Sequence, residues 1–206
     1  MKVCIIHSIF PPHARGGAEM VAYGTARAFA DAGHDPSLRE GRDEVFVITC
    51  APWAGAKSLA GKWERMRIQN SECRMQNDDC NIRVFRFTPL NLFTIFNIGK
   101  YSALLRLIWH IVDMLNPHTY LVVKKILEKE KPDLIITRNL KGLGYTIPMA
   151  IRHSSFGLRH SARWFHGLHD LGALHPRGFM EWGNEAAIRA PMIFVKWYRE
   201  ITKRLF

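Results

Sequence analysis

Two adjacent glycines, Gly16 and Gly17, separate a short apolar run from a segment with helical periodicity. Residues 3–6 have the composition of a buried strand, and a helix is predicted over residues 19–32. The first N–H groups of a helix have no intrahelical partner, and the helix dipole adds positive potential there, so this arrangement can bind an anion. Glycine allows close approach because it has no Cβ. A plain strand–helix turn, with glycines that serve only the turn geometry, is the alternative interpretation.

Glu19 lies just inside the predicted helix. A carboxylate in the first turn is stabilised by the helix dipole by about 0.3–1 kcal/mol. This structural explanation of Glu19 is sufficient unless its carboxylate faces a ligand-binding cleft, where it would contact the ligand.

Polar side chains also follow two later strands. Arg138 and Asn139 come after a short buried strand over residues 134–137, and His169 and Asp170 end a strand that begins near residue 163. Arginine binds phosphate or carboxylate through two parallel hydrogen bonds, and a neutral imidazole both donates to and accepts from a hydroxyl. The alternatives are a surface arginine and a His–Asp pair that caps the following loop. The histidine spacing around residue 169 matches no standard metal-binding pattern, so no metal site is predicted.

The elements that must position these residues alternate between strand and helix, which favours a parallel α/β sheet flanked by helices in one domain over residues 1–206. The other predicted elements are strands at 44–50 and 82–87, a long loop at 51–81, and helices at 101–115, 120–130 and 146–152. The strand at 82–87 alternates apolar and basic residues, as a strand with one wet face would.

The chain has 206 residues and a net charge of +11, which favours anionic partners. No nucleic-acid-binding motif accompanies the charge, so an anionic membrane surface is the better candidate, at roughly 1 kcal/mol per Lys or Arg. A basic solvated surface without a partner is the alternative. No secretory signal or membrane span is visible, so we expect a cytoplasmic protein, with peripheral attachment to the inner membrane face as a further option.

A basic amphipathic helix is predicted from residue 191 onward, with Trp197 on its apolar face. Such a helix can lie on a membrane, or it can pack on this domain or on another one. Packing is the favoured interpretation.

Several motifs together resemble, in their order, the opening domain of the family 4 glycosyltransferases, which are retaining, nucleotide-sugar-dependent enzymes of the two-domain GT-B fold. These motifs are Phe10-Pro11-Pro12, Gly16-Gly17-Ala18-Glu19, Ala32-Gly33-His34, Lys131-Pro132-Asp133 with its strand, and His166 to Asp170 with the adjoining loop. The chain departs from the family at Arg138, where relatives often carry His, and at residues 35–43, which resemble an insertion. The family's second Rossmann-like domain, whose paired glutamates hold the nucleotide-sugar, is not among the 206 residues.

The resemblance implies a Rossmann-like N-terminal, acceptor-side half of a hexosyltransferase that is inactive alone and needs a C-terminal GT-B domain. It implies that His169 lies beside the transferred sugar with Asp170 next to it, and that Gly16 and Gly17 approach the donor or the acceptor. The nucleotide-sugar is a co-substrate, no cofactor is implied, and the acceptor is a glycan or a lipid-linked molecule. The alternatives are a non-catalytic acceptor- or membrane-binding domain and half of a split enzyme. A nucleotide-binding module is disfavoured because the ribose-binding acid is absent.

Overall fold

Six strands form one sheet in the computed structural model, which describes residues 1–14, 16–32, 44–67, 81–155, 162–167 and 192–205. The strands are β1 (Lys2–His7), β2 (Glu44–Cys50), β3 (Lys62–Arg67), β4 (Asn81–Phe87), β5 (Leu134–Arg138) and β6 (Arg163–Gly167). Their order across the sheet is β3-β4-β2-β1-β5-β6, and every neighbouring pair is parallel except β3 with β4. The predicted fold class, a Rossmann-like α/β sheet, is confirmed.

Helices cover both faces of this sheet. They are α1 (Gly17–Ala32), α2 (Lys57–Ala60), α3 (Ala103–Met114), α4 (Pro117–Glu130), α5 (Ile147–Arg152) and α6 (Met192–Leu205), with a 3₁₀ helix at Ile95–Lys100. Successive side chains of a strand point to opposite faces. Val3 and Ile5 of β1 therefore pack with α1, whereas Cys4 and Ile6 pack with α4 and α5. Coverage of both faces explains why β1 and β2 are apolar almost without interruption.

The predicted loop at residues 51–81 is wrong in its first part, where the structure has α2 and the antiparallel edge strand β3. The sequence of β3 is mostly charged, so hydrophobic periodicity gives it little weight. Its pairing with β4 and one aromatic side chain hold it in place: the ring centroid of Trp63 lies 5.9 Å from that of Phe46 and 5.2 Å from that of Phe85. Residues 68–80 lie outside the described part of the chain.

The predicted helix at 120–130 begins three residues earlier, at Pro117. The side chain of Asn116 accepts a hydrogen bond of 3.1 Å from the backbone N–H of Thr119, which caps the first turn. Proline fits there because an N–H at that position has no helical partner.

The prediction that β4 has one wet face is wrong at Arg86, which is 5% exposed. Its Nε donates to Oε2 of Glu64 at 2.9 Å, its Nη1 donates to the carbonyl of Phe10 at 3.4 Å, and its Nη2 donates to the carbonyl of Pro11. Burial lowers the pKa of Arg86, and the hydrogen bond with Glu64 opposes the shift. Arg86 therefore links the turn after β1 to the strands β3 and β4.

We expect Arg86→Met to lower the free energy of unfolding by about 2–3 kcal/mol, because the carbonyls of Phe10 and Pro11 lose a charged donor. Arg65→Met, which removes an exposed arginine from β3, is the matched control and should stay within about 0.5 kcal/mol. Urea denaturation of both variants measures the difference, and equal losses would contradict the anchoring role.

Candidate functional site

The order of the strands reverses direction between β1 and β5. The chain proceeds from β1 to β2 on one side and returns on the other side with β5 and β6. In open α/β sheets, ligands bind in the crevice beyond the carboxyl ends of the strands at such a switch point. The two loops that border this crevice are joined directly, because the N–H of Ser8 donates to the carbonyl of Asn139 at 3.1 Å. The residues predicted after β1 and after β5 therefore lie at the same edge.

Gly16 and Gly17 open α1 on the β1 side of the crevice, and both are exposed. A Cβ built on Gly17 meets nothing within 4 Å, and one built on Gly16 meets only Oε2 of Glu19 at 3.1 Å. Neither glycine has a positive φ. Packing within the described residues therefore does not require glycine at position 17, and none of them lies within 4 Å of a Cβ placed there.

Glu19 is buried, and its carboxylate lies beside Gly16 at the start of its own helix. This placement agrees with stabilisation by the helix dipole. It also offsets part of the positive potential that an anion would use. The N-terminus of α1 with Glu19 is therefore better suited to hydroxyl groups, which both donate and accept hydrogen bonds, than to a free phosphate.

Arg138 ends β5, with His7 of β1 and Gly167 of β6 as its neighbours in register. A Cβ on Gly167 would lie 3.2 Å from Cγ and 3.3 Å from Nε of Arg138, so the arginine packs over the bare glycine. Nε and Nη1 of Arg138 are buried and have no hydrogen-bond partner among the described residues. Buried donors are nearly always paired in proteins, so these two N–H groups are candidates to bind a phosphate or carboxylate.

Asn139 adopts a left-handed conformation with φ of 37° directly after β5. Asparagine tolerates this region better than most residues, and the chain turns sharply there. Gly142, with φ of 86°, continues the turn, and a Cβ at this position would lie 2.6 Å from Cβ of Ile95 in the 3₁₀ helix. The 3₁₀ helix is thereby packed against the turn that borders the crevice.

His169 and Asp170, predicted as the catalytic pair, lie outside the described residues, as does the insertion at 35–43. The structure describes β6 as far as Gly167, beside Arg138. Within β6, Nδ1 of His166 lies 2.8 Å from Oγ1 of Thr137. In the described ranges, no group of three His, Cys, Asp or Glu side chains could hold a metal ion, and no helix has the length and apolarity needed to cross a membrane.

Sequence reasoning missed His7 and Ser8, which are fully buried at the end of β1. Nδ1 of His7 lies 2.8 Å from the carbonyl oxygen of Ile9. The hydroxyl of Ser8 has no hydrogen-bond partner in the part of the chain that is described. They directly follow the predicted strand at residues 3–6, so their place at a strand end was the available signal, but their position at the switch point becomes visible only once the strand order is known.

Sequence reasoning also missed Asp113 of α3, which is fully buried. Its Oδ2 accepts a hydrogen bond of 2.8 Å from the N–H of Gly142, and its carbonyl accepts one of 3.2 Å from the N–H of Tyr145. Burial raises the pKa of Asp113 to about 7, although the hydrogen bond from Gly142 and the charge of Lys141 lower it. Asp113 therefore joins α3 to the turn that follows β5.

Comparison with known proteins gives limited similarity. No family model matches the chain. A Klebsiella pneumoniae protein named "Uncharacterized 42.6 kDa protein in cps region" is 18% identical over 178 residues, which is 86% of this chain and 40% of that protein. The chain therefore spans less than half the length of this relative, and the similarity alone assigns no family.

We expect Asp113→Asn to change how stability depends on pH. The pKa of Asp113 is about 7 in the folded protein and about 3.9 in an unfolded chain, so the folded state binds the extra proton between these values. The stabilisation of the folded state by the protonated carboxyl of Asp113 is complete below about pH 4 and is lost as the pH rises through 7. Asparagine keeps the acceptor for Gly142 without a charge. The variant should exceed the wild type at pH 8 by roughly 1–3 kcal/mol, and this excess should disappear near pH 4.

Urea denaturation at a series of pH values measures this difference. Glu128→Gln, which removes a half-exposed carboxylate from α4, is the control for the loss of one negative charge. Parallel pH curves for the wild type and Asp113→Asn would contradict the assignment.

Proposed function

We propose that this chain is the N-terminal, acceptor-side domain of a retaining glycosyltransferase of the GT-B type, similar to the family 4 enzymes. It would act with a donor-binding domain to transfer a hexosyl group from a nucleotide-sugar to a glycan or lipid-linked acceptor. One observation carries the proposal. The crevice at the switch point combines the first turn of α1, where no described residue lies against Gly17, with two buried N–H groups of Arg138 that have no partner among the described residues.

The chemistry of a metal-free retaining transfer matches these groups. Such an enzyme positions two substrates, stabilises charge on the leaving phosphate and directs one acceptor hydroxyl to the anomeric carbon. Arg138 would bind an anionic group, such as the phosphate of a lipid-linked acceptor. Gly17 and Glu19 would contact sugar hydroxyls at the start of α1. His169 and Asp170 keep their proposed place beside the transferred sugar on the strength of the motif resemblance.

The similarity to the Klebsiella protein supports this proposal. A cps region indicates a polysaccharide context for that relative, and carrying this context to the present chain is part of the proposal. The matched share of the relative, 40%, is also what one domain of a two-domain protein would cover.

We expect Arg138→Gln to weaken binding of an anionic acceptor about tenfold to a hundredfold, because hydrogen bonds to charged groups contribute about 1.5–3 kcal/mol. The ligand is a water-soluble, short-chain lipid phosphate that carries a saccharide, and titration calorimetry measures its affinity. Arg163→Gln, at the opposite end of the neighbouring strand, is the matched control and should bind as the wild type does. Equal loss in both variants would indicate a general charge effect and contradict a site at Arg138.

Transfer requires its own test. The chain joined to a GT-B donor-binding domain is incubated with labelled nucleotide-sugars and the lipid-linked saccharide, and labelled product is expected. Acceptor binding without transfer by any such fusion would favour a non-catalytic acceptor-binding domain. Tight binding of nucleotide by the chain alone would instead indicate a nucleotide-binding module and overturn the proposed role.

A further inference from the structure

The apolar face of α3 points away from the protein. The exposed apolar side chains of α3, together with Leu115 directly after the helix, follow helical spacing and form one stripe: Leu104, Leu105, Ile108, Ile111 and Leu115. Leu104 is 67% exposed and Leu115 is 52% exposed. The opposite face holds the helix in place, because Trp109, Asp113 and Met114 are buried. A contiguous exposed apolar face on an otherwise packed helix marks an interaction surface.

The loop after β4 extends this surface, with Leu90 at 56% and Leu92 at 55% exposure. Its backbone is held rigidly against the helix. The indole N–H of Trp109 donates to the carbonyl of Phe93 at 2.6 Å, and the side-chain amide of Asn116 donates to the carbonyl of Leu90 at 2.9 Å. The two leucines are therefore presented by fixed backbone. We call Leu90, Leu92, the four exposed apolar residues of α3 and Leu115 the α3 patch.

Two aromatic side chains border the α3 patch. Tyr101, which is 38% exposed, stacks on Phe93 with ring centroids 3.9 Å apart. Trp53, which is 57% exposed, lines an adjoining cleft of about 290 Å³ together with Tyr101 and Leu90. Tryptophan and tyrosine are favoured at boundaries where one end of the side chain is apolar and the other is wet, as at a membrane interface.

The exposed charges along the segment that carries the α3 patch, residues 88–127, are of one sign. Asp113 is the only acidic residue from Thr88 to Leu127, and it is buried. Lys100, just before α3, and Arg106, three residues before Trp109 in α3, are exposed. Apolar side chains with interfacial aromatics, exposed cations in the same segment and no exposed carboxylate between residues 88 and 127 are the composition that binds anionic lipid, and the net charge of +11 acts in the same direction.

We propose that the α3 patch docks this domain on an anionic lipid bilayer, with the apolar residues of α3 in the headgroup–acyl boundary and the charges of Lys100 and Arg106 adding electrostatic attraction to the lipid phosphates. The other side of α3 contacts the loops after β4 and β5 through Trp109 and Asp113. Docking would therefore hold the crevice near the membrane surface, where the headgroup of a lipid-linked acceptor is presented. This last consequence depends on the proposed function, whereas the docking does not.

The test is sedimentation of the full chain with vesicles of phosphatidylethanolamine and phosphatidylglycerol, compared with vesicles of phosphatidylcholine alone. The wild type should bind the anionic vesicles. The double variant Leu104→Ser, Ile108→Ser should bind them at least tenfold more weakly. The double variant Lys100→Gln, Arg106→Gln should lose several-fold in anionic vesicles at low salt, and added salt should reduce this difference.

Matched controls separate this surface from general hydrophobicity. Met20→Ser, Val21→Ser removes two exposed apolar residues from α1, which packs on the face of the sheet opposite to α4, and should leave binding unchanged. Trp197→Ser tests α6, for which the sequence leaves membrane contact as an alternative to the favoured packing on a protein domain. Thermal unfolding of each variant confirms that it is folded.

Three outcomes would overturn the proposal. The first is equal binding of the wild type to both kinds of vesicle or to neither, and the second is loss of binding in Trp197→Ser with retention in Leu104→Ser, Ile108→Ser. The third is a solution dimer that the variant Leu104→Ser, Ile108→Ser dissociates. The last outcome would assign the α3 patch to a second copy of the chain. The vesicle assay contains no donor or acceptor. Vesicle binding without any transfer therefore contradicts only the proposed function, and transfer without vesicle binding contradicts only the docking.

Discussion

The central position of β1 is the constraint on which the rest of this structure depends. β1 pairs with β2 on one side and β5 on the other, and its residues from Val3 to His7 are fully buried. The two hydrophobic clusters meet at this strand, one on each face. Beyond the end of β1, the N–H of Ser8 donates to the carbonyl of Asn139 at 3.1 Å. The carbonyl of Ser8 accepts from the N–H of Cys50 at 3.0 Å. The crevice is therefore a consequence of β1 being bonded on both sides.

The hydrogen bond between Asp113 and Gly142 and the buried indole ring of Trp109 attach α3 to the loops of the sheet. Burying the apolar stripe of α3 would have stabilised the fold by roughly 25 cal/mol per Å² of surface. The helix instead buries Trp109 and Asp113 and leaves the stripe in water. The hydrogen bond from Gly142 and the burial of Trp109 fix its position, so the turn beside the crevice and the exposed surface belong to one rigid arrangement. This arrangement links the proposed acceptor site to the proposed membrane surface.

Cationic side chains of similar chemistry have different roles because their surroundings differ. Arg86 is buried and fully engaged with Glu64 and the turn after β1, so its role is structural. Arg138 is partly buried, and two of its N–H groups have no partner among the described residues, so they are the candidates for the proposed ligand contact. Arg106 is exposed beside apolar residues, which suits an anionic surface. The net charge of the chain does not distinguish these three roles.

Local patterns were sufficient for much of the fold. The sequence by itself determined β2 at its observed bounds, α1 and the α/β class, because periodicity reflects contacts a few residues apart. It also indicated that Gly17 and Arg138 lie at element ends, while the prediction for His169 and Asp170 stays a prediction. Only the tertiary structure decided that Arg86 is buried, that α3 turns its apolar face outward and that Arg138 lies between His7 and Gly167. These outcomes depend on the pairing of β1 with β5 and on packing between residues that are far apart in the sequence. No local pattern encodes either of them.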